Sequence, residues 1–231
     1  MDLGTLVGDG TPLEIVARLV DGRVATYDGY LPIDSVLAWA WVAEHRPDLL
    51  EVTQPGQLEE DLEIPLPLAR RVYADGDWCW ASSFAVAPRA QERRQIWHRR
   101  FDAAAAEEYT DRRGQVNTSG GRLRDYRVPL PILLVPELRW YCVGDGEEIL
   151  RLLRPVAAVG KKRAQGLGRV REWVVQPAPE DRSWWRPHPD PDGTDEVAIR
   201  PPYWDRRNVR RVVWPDVPLA ARALPVARPD A

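Results

Sequence analysis

Apolar positions along the chain switch between a strand period and a helix period. "LEIVARLV" (13–20) is short, apolar and β-branched, with Gly22 following, and predicts a buried first strand. In "LPIDSVLAWAWVAEH" (31–45) the period lengthens. Val36, Leu37, Ala40, Trp41 and Val42 form one apolar helix face, Asp34 or Ser35 is placed to cap it, and Pro47 stops it. Residues 48–68 are acidic and proline-rich and predict a loop or a partner-facing excursion. "DWCWASSFAVA" (77–87) predicts an aromatic-rich strand.

"QERRQIWHRRFDAAAAEEY" (91–109) reads as a basic, exposed helix or helix pair. "TDRRGQVNTSGGRLRDY" (110–126) has no apolar period and predicts a mobile basic loop. "LPILLVPELRWYCVGD" (130–145) is strand-like and broken at Pro136. "GEEILRLLRPVAAV" (146–159) predicts a helix with Ile149, Leu150, Leu152 and Leu153 inside and Glu147 spaced i,i+4 from Arg151. A glycine loop and the strand "RVREWVV" (169–175) follow.

Two strand–helix–loop–strand halves predict an α+β fold of the ferredoxin-like, RRM-like kind. The first half is residues 1–127, with the acidic loop at 44–68 and a basic insertion at about 91–127. The second half is 128–177. Residues 178–231, rich in proline and tryptophan, read as an extension packed on the domain, with "RNVRRVVWP" as a last strand.

Composition adds charge placement. Net charge is −3, but residues 44–63 carry seven acids against one arginine, while Arg93, Arg94, Arg99, Arg100, Arg112, Arg113, Arg122 and Arg124 crowd one segment with Asn117 among them. A basic segment on an acidic chain suits a nucleic-acid binder whose other face meets protein or solvent. Cys79 and Cys142 are far apart and read as buried thiols of a reducing compartment. No apolar run is long enough to span a bilayer and no signal-like segment is present, which predicts a cytoplasmic protein without a membrane partner.

Lysine occurs only at Lys161 and Lys162, inside "GKKRAQGLGRVREW" (160–173). Arginine is the default cation elsewhere, so this pair stands out. Gly160, Gly166 and Gly168 permit positive φ and close backbone approach. Their loop can form an anion nest, with Lys161, Lys162, Arg163 and Arg169 for phosphates and Gln165 for a base edge or 2′-hydroxyl. The order is helix, loop, strand, which is neither a dinucleotide fingerprint nor a P-loop.

Catalytic groups are sparse. Of His45, His98 and His188, only His98, in "IWHRRFD", lies among cations able to stabilise a phosphorane, and no second acid or base is placed by the sequence to complete a pair. Metal-ligand spacing and a nucleophile elbow are both missing from the sequence, so no metal or other cofactor is expected. Trp39, Trp41, Trp78, Trp80, Trp140 and Trp173 read first as core, with base stacking open to one or two.

"VGKKRAQGLGRVREWVV" resembles the C-terminal glycine-rich loop of the RAMP superfamily of CRISPR-associated proteins. "LPIDSVLAWAW" resembles the start of that superfamily's first helix. With "DWCWASSFA", "HRRFD" and "YRVPLPILLVPELRWYCVGDGEEILRLL", the order is most similar to the type IV subunit of the Cas-five kind, over roughly residues 12–177. The resemblance implies a non-catalytic guide-RNA subunit that grips the repeat-derived 5′ handle. Its implied partners are guide RNA, backbone subunits of the Cas-seven kind whose filament it caps, and a large or small effector subunit, with target DNA as a further contact. It also implies a thumb-like insertion, placed at 110–126. Two alternatives stand beside this. One is a metal-independent endoribonuclease of precursor guide RNA using His98; the other is a protein-only assembly factor using 44–63.

Overall fold

The computed structural model describes residues 1–26, 30–51, 64–87, 90–100, 102 and 126–217. Among these the fold is mixed α+β, with two α-helices and four small antiparallel sheets.

β1 (Thr5–Val7) precedes the long strand β2 (Thr11–Leu19), then β3 (Arg23–Ala25) and helix α1 (Ile33–His45). β4 (Arg70–Val72) and β5 (Trp78–Trp80) pair with each other, and β1 lies on β4. β6 (Gln91–Arg99) pairs throughout with β7 (Tyr126–Leu134). β8 (Glu137–Gly144), helix α2 (Gly146–Leu153) and β9 (Val170–Pro177) follow. β10 (His188–Pro189) and β11 (Asp195–Ala198) flank β12 (Val209–Val213).

β2 is the centre of the main sheet, between β8 and β9, and both pairings are antiparallel. Ser82 and Val86 bridge to Cys142 and Arg139, extending the sheet beyond β8. Alternation on β2 puts Leu13, Ile15, Ala17 and Leu19 on one face, where they meet Ile33 and Leu37 of α1 and Ile149, Leu152 and Leu153 of α2. Trp140 is fully buried in that core. The other face carries ion pairs, Arg18 to Glu172 at 2.7 Å and Arg139 to Glu14 at 2.9 Å and to Glu137.

Several expectations change. Residues 91–99 form a strand, not a helix. Their backbone groups pair with 126–134, and that cross-strand ladder overrides local propensity. The segment 77–87 is regular only at β5 and continues as isolated bridges. Neither Asp34 nor Ser35 caps α1: Pro32 holds the N-cap position, and the Ser35 hydroxyl donates to the Pro32 carbonyl. Helix α2 ends at Leu153 because Pro155 has no N–H to continue the ladder. Arg151 pairs with Glu148 and with Glu44 of α1 rather than with Glu147, because α1 lies alongside. The break at Pro136 and the last strand in "RNVRRVVWP" match the sequence reading. Both cysteines are buried and free. No helix among the described residues is long and apolar enough to cross a membrane.

Residues 178–217 are sewn into the molecule. Arg186 is fully buried. Its Nη1 donates to the carbonyls of Trp80 (2.8 Å) and Ser82 (3.0 Å), its Nη2 donates to the Ile199 carbonyl, and Asp34 lies 3.4 Å away. The Tyr203 hydroxyl donates to Asp34 Oδ1 at 2.8 Å. Burial pushes the Asp34 carboxyl up, opposed by the Arg186 charge and the Tyr203 hydrogen bond. Asp34 thus ties the start of α1 to the tail.

Candidate nucleic-acid interface

The glycine loop is closed at its base by the fold. After α2 the chain turns so that Ala158 bridges Arg169, and the Val159 N–H donates to Gly168 at 2.9 Å. The Lys161 N–H donates to the Ala25 carbonyl at 2.8 Å and the Gly168 N–H to Arg23 at 2.7 Å, which fastens the loop to β3. A short 3-10 turn, Arg163–Gln165, forms the tip.

Two glycines are required by contact as well as by angle. Gly160 has φ +78° and a Cβ there would lie 2.6 Å from the Ala25 oxygen. Gly168 has φ +68° and its Cβ would lie 1.9 Å from the Val159 oxygen. No side chain fits either place without backbone movement. Gly166 also has positive φ but faces open space. Lys162 is the sole non-glycine residue with positive φ among those described. The N–H groups of Lys161, Gln165, Gly166 and Gly168 are spent inside the fold, so side chains carry most of the loop's polar reach.

Lys161, Arg163, Gln165 and Arg169 are exposed and Lys162 is half-buried. Lys162 Nζ stands 5.1 Å from the centre of the Trp97 ring, and Arg163 Cζ stands 5.2 Å from that of Trp39. Within the described residues neither cation forms an ion pair, unlike Arg18, Arg139 and Arg151. Burial works to raise the Asp21 carboxyl, but the hydrogen-bonded Arg23 and, to a smaller extent, the Arg169 charge together hold it below the usual range. Leu167 is the buried anchor of the loop, against Ala25, Leu130 and Ile132, with Trp97 packed on the same cluster.

Strand alternation sorts the arginines of β6. Arg93 is opposite Ile132 and Trp97 opposite Val128, so these two share the face on which Leu167 sits. Arg94 and His98 point to the reverse face, with Arg94 near Glu92. The structure therefore brings Arg93 to the side of Lys161, Lys162 and Arg163 and separates Arg94 and His98 from it. Arg100 is exposed just past the strand, and Arg99 is described by its backbone alone. Arg112, Arg113, Asn117, Arg122 and Arg124 lie outside the described residues, as does the expected thumb at 110–126 except for its last residue, Tyr126, which begins β7.

The other histidines are distant in role. His45 ends α1 and stacks on Trp41. His188 is buried, its Nε2 donating to the Trp184 carbonyl at 2.7 Å. Its Nδ1 therefore accepts from the Tyr73 hydroxyl at 3.1 Å. Burial, reinforced by the Arg186 and Arg71 charges, pushes its pKa down to about 4.

Sequence reasoning passed over Trp97 because it was placed on a helix surface. Ile96 and Trp97 are adjacent apolar residues in "RRQIWHR", so no alternation marks the strand, and only the pairing with 126–134 sets the face of Trp97.

A family model described as CRISPR type IV associated protein Csf3 matches residues 11–215. The chain belongs to the Csf3 family. The match includes the tail through β12, beyond the roughly 12–177 over which resemblance was read from sequence, in keeping with the way Arg186 binds that tail into the core. Comparison with curated proteins finds no match. For this Csf3-family chain the glycine loop and its two tryptophans are the candidate site.

Proposed function

We propose that this chain is a non-catalytic, cytoplasmic RNA-binding subunit of a type IV CRISPR ribonucleoprotein. It grips the repeat-derived 5′ handle of the guide RNA and caps a filament of backbone subunits of the Cas-seven kind, within an assembly that includes a large or small effector subunit and meets target DNA. The observation that carries this reading is the loop itself. Glycines at 160 and 168 fix its backbone, and Lys162 and Arg163 are held over aromatic rings without a carboxylate partner among the described residues. Such cations are available to phosphates, whereas the arginines of the open sheet face are already paired.

The fold we propose for the main sheet is ferredoxin-like. Taking β2, residues 82–86, β8 and β9 as strands one to four, the pairings follow the order four-one-three-two, with α1 after the first strand and α2 after the third. On that reading β6 and β7 are the paired root of the thumb, inserted between strands two and three. His98 lies on the face of β6 turned away from the loop cations, which supports binding over cleavage. Lysine suits position 162 because a compact ammonium reaches the Trp97 ring from a left-handed backbone.

The test is incubation of the full-length chain with labelled repeat RNA in chelator, run on native and denaturing gels. A shift with intact RNA is expected. A cleaved product, lost in His98→Ala, would replace this reading with the processing nuclease.

A further inference from the structure

We propose that Trp39 and Trp97 are stacking platforms for two unpaired bases of a single-stranded RNA whose phosphates bind the loop cations. This rests on the RNA-binding reading and specifies the form of RNA the site accepts.

Consecutive loop residues reach two rings on different elements. Lys162 covers Trp97 on β6, and Arg163 covers Trp39 on α1. Both separations are in the cation–π range. Trp39 is 39% exposed on a helix that already buries Ile33, Leu37, Ala38, Ala40 and Val42, so the core does not call for an indole there. Trp78, Trp140 and Trp173 are committed elsewhere, and Trp204, though 44% exposed, has no loop cation over it among the described residues. Trp78 lies between the Arg70 and Arg200 guanidiniums at 4.3 and 4.9 Å, Trp140 is buried, and the Trp173 indole donates to the Val156 carbonyl.

The two cations guard the rings in the absence of RNA. Phosphates draw the ammonium and guanidinium toward themselves, and the uncovered ring faces accept bases. Stacking of this kind tolerates any base, because every base has a π-face. A duplex keeps its base faces inside the stack, so it can use the cations but not the rings. The site therefore prefers splayed, single-stranded RNA, with the fixed loop backbone between the two platforms.

The experiment measures affinity and salt dependence of the full-length chain for labelled single-stranded repeat RNA and for the same RNA annealed to its complement. The variants are W39A, W39F, W97L and the double variant K161A/K162A. Leucine is used at 97 because Trp97 packs on the cluster that anchors Leu167, and thermal midpoints check that each variant is folded. W39A and W97L should each weaken single-strand binding by about fivefold or more with an unchanged salt slope. W39F should retain most affinity, and duplex binding should not respond to W39A. A W39A chain within twofold of wild type on single-stranded RNA, while K161A/K162A weakens it, overturns the platforms and leaves the loop reading intact. If K161A/K162A is also without effect, the RNA-binding reading of the loop falls as well.

Discussion

Replacing Arg186 by methionine should be among the most damaging single changes in the tail. The side chain has no exposed surface and lies against Asp34, also without exposed surface. Methionine keeps the apolar stem but removes the donors to Trp80, Ser82 and Ile199. Each stranded carbonyl costs about 1–3 kcal/mol when no water replaces the donor. Asp34 also loses the charge that opposes its desolvation, takes up a proton, and keeps the Tyr203 hydroxyl. Breaking one side of a buried pair typically costs about 3–5 kcal/mol, a fifth or more of the stability of an ordinary domain. Urea unfolding followed by tryptophan fluorescence reads this directly. The double variant D34L/R186M should recover part of the loss, because an apolar pair strands no charge. An R186M chain within about 1 kcal/mol of wild type would refute the reasoning.

Two further predictions concern pH and the loop backbone. His188 has a folded pKa of about 4 against an ordinary 6.5, so the unfolded chain binds more protons between those values and stability falls as pH drops through that window, by up to about 3 kcal/mol. Urea midpoints at pH 7 and 4.5 for wild type and His188→Gln should converge toward the lower pH, and parallel losses would remove His188 as the group responsible. Gly168→Ala should cost well over about 1 kcal/mol, since strained φ is joined by a clash with the Val159 oxygen, while Gly166→Ala pays for φ alone; thermal midpoints of equal size for the two would contradict the contact argument.

Much of the frame was readable from local pattern. β2, α1, the break at Pro136, the glycine loop and β9 each carry their own periodicity or punctuation. What escaped depends on partners distant in sequence. β6 is a strand because 126–134 pairs with it, and nothing within 91–99 announces that partner. Asp34 has the spacing of a cap, and only the arrival of Arg186 from far along the chain makes it a buried anchor. In a chain rich in arginine, the only local mark of Arg186, wholly interior among the described residues, is its place between Trp185 and Pro187. The loop cations were legible as a set because lysine is so rare here. Their pairing with Trp39 and Trp97 was not, because it joins α1, β6 and the loop.

The most direct test of the central claim is the salt dependence of repeat-RNA affinity for wild type and for K161A/K162A. Two phosphate ligands on a single strand should contribute about 1.4 to the slope of log affinity against log salt. The double variant should bind more weakly at low salt, with a slope shallower by about that amount. Equal affinities and equal slopes would show that the two lysines do not touch RNA, and the glycine loop would lose its assigned role.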